Sequence, residues 1–308
     1  MHLNPARVMY YFGVHLLYAS IVCLLVWLLT SILRGRATTK YWIWVATALN
    51  FITPLGAIAD ALGRSHLGWA TPLPLIGGPA LSLTQGSNAT LLFVVWSLGA
   101  SLMVIRLISR LCADRRDAPG FTDEQALRAA FVAEGVPVRF TAGLRGPAVD
   151  GVLHPRISLP NGIEQILSEE ELTAVLIHEA THAKRRDNLI RLIYEVALCV
   201  LWFHPLVWIA GFRLSLYREL SCDESVIQNA RGLQLISALK KLAAPERDFL
   251  LQATASSFLA HRLAVLRARP ERPSAIVSVL LALAFGALLV GSVLETVAHT
   301  ACCFAVKR

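Results

Sequence analysis

Residues 168–187 read SEEELTAVLIHEATHAKRRD, and they contain the motif on which the fold and the chemistry depend. His178 and His182 stand four residues apart, so a helix places both imidazoles on one face. Two imidazoles in this arrangement bind one metal ion, and Glu179 beside them accepts a proton from water. The stretch therefore predicts a metal-binding helix, with two helical histidines that bind no metal as the simpler alternative.

The start of this helix has a signal of its own. Ser168 is followed three residues later by Glu171, which is the spacing of a capping box. A run of apolar residues then leads into the motif. We expect the helix to begin at this serine and to continue through both histidines.

A catalytic zinc site needs a third protein ligand and one open position. Glu219 and Asp223, in the stretch RELSCDE, are the candidates. They stand four residues apart on a predicted helix, so both face the same way; a solvated acidic face paired with Arg218 is the simpler alternative. Because zinc–oxygen bonds are about 2.0–2.2 Å long, the chain between His182 and Glu219 must fold back for either acid to reach the metal.

The composition indicates a membrane protein. Hydrophobic residues make up 55% of the 308 residues and charged residues only 16%, whereas soluble domains carry about 25% charged residues. The net charge of +8 does not indicate nucleic-acid binding, because no basic helix or aromatic–basic module accompanies it. Four apolar segments are long enough to cross a bilayer; they cover about 8–33, 41–62, 91–108 and 275–294.

Basic residues between these segments predict their direction. The segment 34–40 holds three basic residues and 106–116 holds four, whereas the loop 63–89 holds only Arg64. Lysine and arginine accumulate on the cytoplasmic side of membrane proteins. We therefore expect the N-terminus outside, residues 109–274 in the cytosol and the short C-terminal tail outside.

A fifth apolar stretch, 189–212, does not fit a simple crossing. A single crossing there would put eight basic residues further along the chain outside, against the charge rule. The stretch also contains Arg191 and Glu195, which are costly toward lipid. A proline ends or kinks a helix, so His204-Pro205 breaks the stretch near its middle. We expect two short helices that meet there and return to the same side.

Residues 136–160, ahead of the metal helix, predict short strands separated by Gly143, Gly146 and Gly151. The expected fold is a mainly α, multi-pass membrane protein with four transmembrane helices, a helical gluzincin-like HExxH peptidase domain, a small β element and a membrane-associated helical hairpin. The expected domains are an N-terminal membrane region with three transmembrane helices (1–111), a cytosolic, membrane-proximal peptidase domain (112–274), and a last transmembrane helix with a short tail (275–308).

Three runs in order, HEATHAKRRD (178–187), WFHPL (202–206) and ELSCD (219–223), closely resemble the BlaR/MecR-type membrane metallopeptidases. Residues 136–160 also look like the strand region of this family. Its members include antirepressor peptidases that respond to β-lactams, and many relatives have unknown triggers. The resemblance implies a protein integral to the bacterial inner membrane, a bound zinc ion (Zn²⁺), and a protein substrate such as a transcriptional repressor.

The resemblance also implies a role for each site residue. His178, His182 and Glu219 match the zinc ligands, and Glu179 matches the catalytic base. Asp223 matches a residue beside the metal, where a carboxylate commonly accepts the second N–H of a ligating histidine.

Two features depart from the family pattern. His204 stands where the family usually has asparagine before the proline; we expect it to cap the turn, with a stray zinc ligand as the alternative. The sequence ends at Arg308, soon after the last predicted span. We therefore expect a short member that lacks the C-terminal penicillin-binding sensor domain.

The favoured function is a membrane-bound zinc-dependent endopeptidase that cleaves a regulatory protein, or itself, in signal transduction. The alternatives are a non-enzymatic membrane signalling or scaffold protein of the same family and a membrane transporter. The complete metal set argues against a scaffold, and the three clearest spans carry no charged residue deep inside for an ion path. The expected partners are a protein substrate and the lipid bilayer but no nucleic acid, and a homodimer is left open.

Overall fold

The structure is a computed structural model that describes residues 5–32, 35–52, 87–113, 132–144 and 146–242, with single positions at 260, 262, 263, 279 and 286. Helices dominate the described chain. They are α1 (Pro5–Ile32), α2 (Ala37–Ile52), α3 (Ser87–Ala113), α4 (Ile163–Ile166), α5 (Glu169–Arg185), α6 (Asp187–Val200), α7 (Pro205–Gln228) and α8 (Gly232–Leu242). The strands are β1 (Val138–Thr141), β2 (Ala148–Asp150) and β3 (Arg156–Pro160).

The three strands form one small sheet in the order β1-β3-β2, which confirms the predicted β element. β1 runs parallel to β3, with Val138 opposite Ile157, and β2 runs antiparallel to it. Gly143 and Gly151 adopt φ angles of 76° and 83° in the turns. Glycine reaches this left-handed region without steric cost, which explains its place between the strands.

The metal helix α5 begins with the predicted capping box. Ser168 Oγ accepts a hydrogen bond from the backbone N–H of Glu171, and the Glu171 carboxylate accepts one from the backbone N–H of Ser168. The same carboxylate accepts hydrogen bonds from Ser237 Oγ at 2.6 Å and from Lys241 Nζ at 2.7 Å. The cap therefore also joins α5 to α8.

Two hydrophobic cores hold the described chain together. The helical core joins α1 and α2 to the end of α6 and the first part of α7, and buries large side chains such as Trp44. The sheet core joins the strands, α4, α5 and α8, with Ile157 at its centre. Helix α7 takes part in both, through Leu220 in the helical core and Val226 in the sheet core. The helical core thus crosses the expected division between residues 111 and 112.

Two helices have the length and composition needed to cross a membrane: His15–Ile32 in α1 and Leu91–Cys112 in α3. They correspond to the first and third predicted spans. The second predicted span, 41–62, is described only as far as Ile52, and the fourth, 275–294, lies outside the described residues apart from two single positions. The count of four spans stays a prediction.

The apolar stretch 189–212 is interrupted at the predicted place. Helix α6 ends at Val200 and α7 begins at Pro205, where a proline costs no hydrogen bond because the first helical N–H has no partner within the helix. The expectation that the second helix is short is wrong, because α7 continues to Gln228. Its length returns Glu219 to the neighbourhood of α5.

The prediction that His204 caps this turn is wrong. His204 occupies the N-cap position of α7, but its side chain makes no capping hydrogen bond. Its Nε2 atom lies 3.1 Å from Ser20 Oγ of α1 instead, so the ring is turned toward the helical core. His204 also precedes Glu219 by fifteen residues, about 22 Å along a helix, which removes it from the metal site.

An ion pair and two tryptophan hydrogen bonds join α3 to α6 and to the turn that follows it. Glu195, which is costly toward lipid, pairs with Arg110 of α3 at 2.8 Å and with Arg191 at 3.1 Å. Near the other end, Trp202 Nε1 donates to the backbone oxygen of Trp96. The ion pairs compensate the charge of Glu195 within an otherwise apolar surface.

Candidate metal centre

The two motif histidines of α5 face one glutamate of α7. The Nε2 atoms of His178 and His182 lie 3.3 Å apart. Glu219 Oε2 lies 3.6 Å from His178 Nε2, and Glu219 Oε1 lies 3.7 Å from His182 Nε2. The structure therefore brings the three predicted ligands together, although the second histidine and the glutamate are 37 positions apart in the sequence.

These distances fit a tetrahedral metal site. Zinc binds imidazole nitrogen at about 2.0–2.1 Å and carboxylate oxygen at about 2.0–2.2 Å, so neighbouring ligand atoms stand roughly 3.4 Å apart. The observed separations of 3.3, 3.6 and 3.7 Å are close to that value. Two imidazoles and one carboxylate are also a donor set of catalytic zinc sites with one open position. The residues present therefore fit zinc.

The second nitrogen of each imidazole faces a carboxylate. His182 Nδ1 lies 2.7 Å from Asp187 Oδ2, in hydrogen-bonding geometry. His178 Nδ1 lies 3.1 Å from Asp223 Oδ1, which is ion-pair range, but the angle is too bent for a hydrogen bond. Carboxylates in this position orient metal-binding histidines and raise their basicity. Both predicted ligands on α5 thus have such a partner.

A left-handed residue places Asp187 beside the metal helix. Arg186 has φ 55° and ψ 46°, and it is both the C-cap residue of α5 and the N-cap residue of α6. This conformation is uncommon for a residue with a Cβ atom. It turns the chain sharply enough for the first residue of α6 to reach back to His182.

The carboxylates around His178 and His182 favour a positive charge on or between the two imidazoles. Burial lowers the pKa of His178, but contacts with Asp223 and Glu219 outweigh burial and raise this pKa to about 9. Burial likewise opposes protonation of His182, and Asp187 outweighs it to raise the pKa well above the usual value. A metal ion satisfies the same demand as the protons and competes with them.

Two arginines hold the predicted carboxylate ligand. Arg218 donates to Glu219 Oε1 from Nε at 3.1 Å and from Nη2 at 2.9 Å. Arg262 Nη1 lies 3.5 Å from Glu219 Oε2, while its Nε and Nη2 donate to Asp223 at 2.9 and 2.7 Å. Burial raises the pKa of Glu219, but the two histidines outweigh it and keep the pKa well below the usual value. The ligand is therefore ionised and oriented.

Cys222 is a further metal-binding side chain in the neighbourhood. With His178 and His182 it forms a buried group whose ligand atoms lie within 4.8 Å of one another. Its Sγ atom lies 3.4 Å from His182 Nδ1, the nitrogen that Asp187 already engages. Glu219 instead faces Nε2 of both histidines, so the glutamate completes the better site.

The predicted base, Glu179, is half-buried on α5 next to His178. Its charge acts on Arg262: burial lowers the pKa of that guanidinium, and the carboxylates of Asp223, Glu219 and Glu179 outweigh burial and raise it. Glu179 therefore lies close to the ligand set without being one of the converging groups.

Sequence reasoning missed four side chains that hold the site: Tyr41, Arg185, Asp187 and Arg262. It named Arg218 only as the partner of a solvated acidic face. Asp187 had a usable signal, since it follows the second histidine by five residues and ligating histidines usually have a carboxylate partner. The contacts of Tyr41 and Arg262 join segments far apart in the chain and had no local signal.

With this geometry in place, comparison with known proteins gives a consistent result. The profile of the BlaR1 peptidase M56 family matches residues 11–266. The chain belongs to that family. Regulatory protein BlaR1 of Bacillus licheniformis is 28% identical over 239 residues, which is 65% of this chain and 40% of the relative. The methicillin resistance mecR1 protein of Staphylococcus aureus is 24% identical over 98 residues, 32% of this chain and 17% of the relative.

A second group of relatives consists of HtpX proteases. The protease HtpX homolog of Gemmatimonas aurantiaca is 28% identical over 219 residues, 58% of this chain and 75% of that protein. This M56 family chain spans only about two fifths of the length of the BlaR1 relative. The matches support a membrane protein of a metallopeptidase family, which implies a metal.

Proposed function

We propose that this M56 family member is a membrane-bound zinc-dependent endopeptidase. His178, His182 and Glu219 are the zinc ligands, Glu179 is the general base, and Asp223 holds the first histidine. The observation that carries the proposal is the convergence of two Nε2 atoms and one carboxylate, with mutual distances of 3.3, 3.6 and 3.7 Å.

The chemistry follows from the positions of the side chains. Zinc, when bound, polarises a carbonyl oxygen and lowers the pKa of water toward about 7. Glu179 takes a proton from the attacking water as the carbon–oxygen bond forms at the scissile carbonyl. It then delivers this proton to the amine as the carbon–nitrogen bond breaks. Arg218 and Arg262 keep Glu219 ionised and fixed during these steps.

The proposed substrate is a regulatory protein, or this protein itself, cleaved in signal transduction. The names of the BlaR1 and mecR1 relatives, a regulatory and a methicillin resistance protein, support this choice. The HtpX relatives, named as proteases, support peptide-bond hydrolysis. A scaffold of the same family stays the alternative, and the complete set of ligand and base residues weighs against it.

The proposed location is the bacterial inner membrane, with the N-terminus outside and the peptidase site on the cytosolic side. The distribution of basic residues between the spans supports this direction. The exposed apolar side chains of α3, for example Leu98 and Ile105, support contact with lipid.

Glu179→Gln tests the enzyme against the scaffold, because it keeps the size of the side chain and removes the base. We expect cleavage of casein and self-cleavage by the purified full chain to fall at least 10²–10⁴-fold, the usual contribution of general-base catalysis. Zinc content should not change, since Glu179 is not a ligand. Exposed Glu169→Gln in the same helix is the control and should retain full activity. Equal cleavage by wild type and Glu179→Gln would refute the proposed peptidase.

A further inference from the structure

The second helix of the chain reaches the metal site through one tyrosine. Tyr41, in the second turn of α2, donates a hydrogen bond from Oη to Asp187 Oδ1 at 2.7 Å. The other oxygen of the same carboxylate, Oδ2, lies 2.7 Å from His182 Nδ1. One carboxylate therefore connects a residue of α2 to a predicted metal ligand, through a hydrogen bond between residues 146 positions apart in the sequence.

Both members of this contact are enclosed by protein. Tyr41 is 0% exposed and Asp187 is 3% exposed. A hydrogen bond to a charged group that water does not reach is stronger than one at the surface. The bond is therefore strong enough to fix the direction of the carboxylate, and with it the plane of the imidazole.

One arginine contacts both the tyrosine and the carboxylate. The guanidinium of Arg185 lies over the Tyr41 ring, 4.3 Å from its centroid. Its Nη2 atom donates to Asp187 Oδ2 at 2.6 Å. Cation–π and ionic contacts from one side chain thus act on both partners.

The first turn of α2 is attached to α7 close to the other histidine partner. Glu224 Oε2 accepts hydrogen bonds from the backbone N–H of Thr38 at 3.0 Å and from its hydroxyl at 2.8 Å. Arg36 lies 3.5 Å from Glu224 Oε1. Glu224 follows Asp223 directly in α7. Helix α2 therefore contacts the helices around the proposed site at two points, Asp187 of α6 and Glu224 of α7.

We propose that Tyr41 is a positioning residue of the metal centre, and that α2 orients the ligand His182 through the Tyr41–Asp187 hydrogen bond. The inference rests on the proposed function, since it takes the histidines as zinc ligands. It assigns α2 a second task besides its place in the helical core. Any movement of α2 that lengthens this bond loosens the site, so α2 is one route by which a change in the helical core reaches the metal centre.

Tyr41→Phe separates the hydrogen bond from packing, because the ring and its contact with Arg185 remain. We expect zinc affinity of the full chain, measured in detergent by competition with a chelator, to fall about tenfold, the lower end for a change behind a ligand. The matched control is Tyr217→Phe. Tyr217 also lies in the helical core, and its hydroxyl donates to the backbone oxygen of Thr30, away from the ligands. This control should bind zinc as the wild type does.

A double-mutant cycle with Asp187→Ala distinguishes positioning from general loosening. If Tyr41 acts through the carboxylate, Tyr41→Phe should cost no further affinity in the Asp187→Ala background, which has no acceptor for the tyrosine hydroxyl. Additive losses, or an equal loss in Tyr217→Phe, would overturn the inference. Unchanged zinc affinity in Tyr41→Phe would also overturn it and leave the proposed function intact. A wild-type chain that binds no zinc would instead overturn the proposed function itself.

Discussion

The sheet core and the helical core differ in the polar groups that they bury and in the side chains that they expose. In the sheet core, the carboxylate of Glu171 is surrounded by three hydrogen-bond donors and lies at the junction of two helices. The helical core buries uncharged polar groups such as Thr47 and Asn50 among its apolar side chains, and its helices also present apolar side chains outward, such as Leu24 and Phe212. The first core is organised as in a soluble domain, and the second as in a membrane bundle.

The proposed metal site lies where α7 passes from the helical core to the sheet core. Helix α7 leaves the helical core after Leu220 and enters the sheet core at Val226, and Glu219, Cys222 and Asp223 lie at this transition. A site at such a junction can be assembled only from both sides. The difference between the cores therefore explains why the proposed ligands come from α5 and α7 together and why α2 contributes the proposed supporting residue.

The strongest test of this arrangement removes a ligand from either side. His178→Ala and His182→Ala on α5, and Glu219→Ala on α7, should each abolish stoichiometric zinc in the purified protein, because two remaining donors do not hold zinc tightly. Elemental analysis after gel filtration measures the metal on folded material. Cys222→Ser is the control and should keep about one zinc. If this control lost zinc and Glu219→Ala kept it, the cysteine would replace the glutamate as third ligand.

A smaller loss of zinc affinity is expected when Asp223, the carboxylate of α7 that faces His178, is changed. Asp223→Asn keeps the volume and removes the charge that faces His178 and pairs with Arg262. We expect zinc affinity to fall about 10–100-fold, as is usual for a carboxylate behind a ligating histidine. Asp150→Asn, which weakens an Arg–Asp pair within the small sheet, is the matched control. Zinc affinity is measured by the same competition with a chelator. Equal zinc affinity of the two variants would contradict a site that is supported from the α7 side.

Local features of this molecule could be predicted from the sequence, and contacts across the junction could not. The capping box at Ser168, the break before Pro205 and the strands around the glycines follow from short-range rules, and all three are found. The sequence pattern predicts too short an α7. The reason is that the helix continues from the helical core into the sheet core, where its buried side chains pack against different partners. Tyr41 and Arg262 reach the site through tertiary packing, which no spacing in the sequence encodes.

The smallest effect concerns the sheet core alone and tests whether it behaves as a soluble-type unit. Hydrogen bonds from Lys241, Ser237 and the backbone of Ser168 lower the pKa of Glu171 to about 2, from an ordinary value of 4.5. Because the pKa is lower in the folded state, the stabilisation is fully present above about pH 4.5. It is lost as the pH falls toward about 2.

We therefore expect Glu171→Gln to lower the free energy of unfolding by about 1–2 kcal/mol at neutral pH, since Lys241 is partly exposed and solvent screens part of its charge. Thermal unfolding of the two proteins in detergent should show this difference at pH 7 and a shrinking one between about pH 4.5 and pH 2. Glu170→Gln, an exposed neighbour in the same turn, should show no such dependence. A difference that stays constant with pH would mean that the carboxylate acts through shape, and the contrast in charge between the two cores would lose its energetic basis.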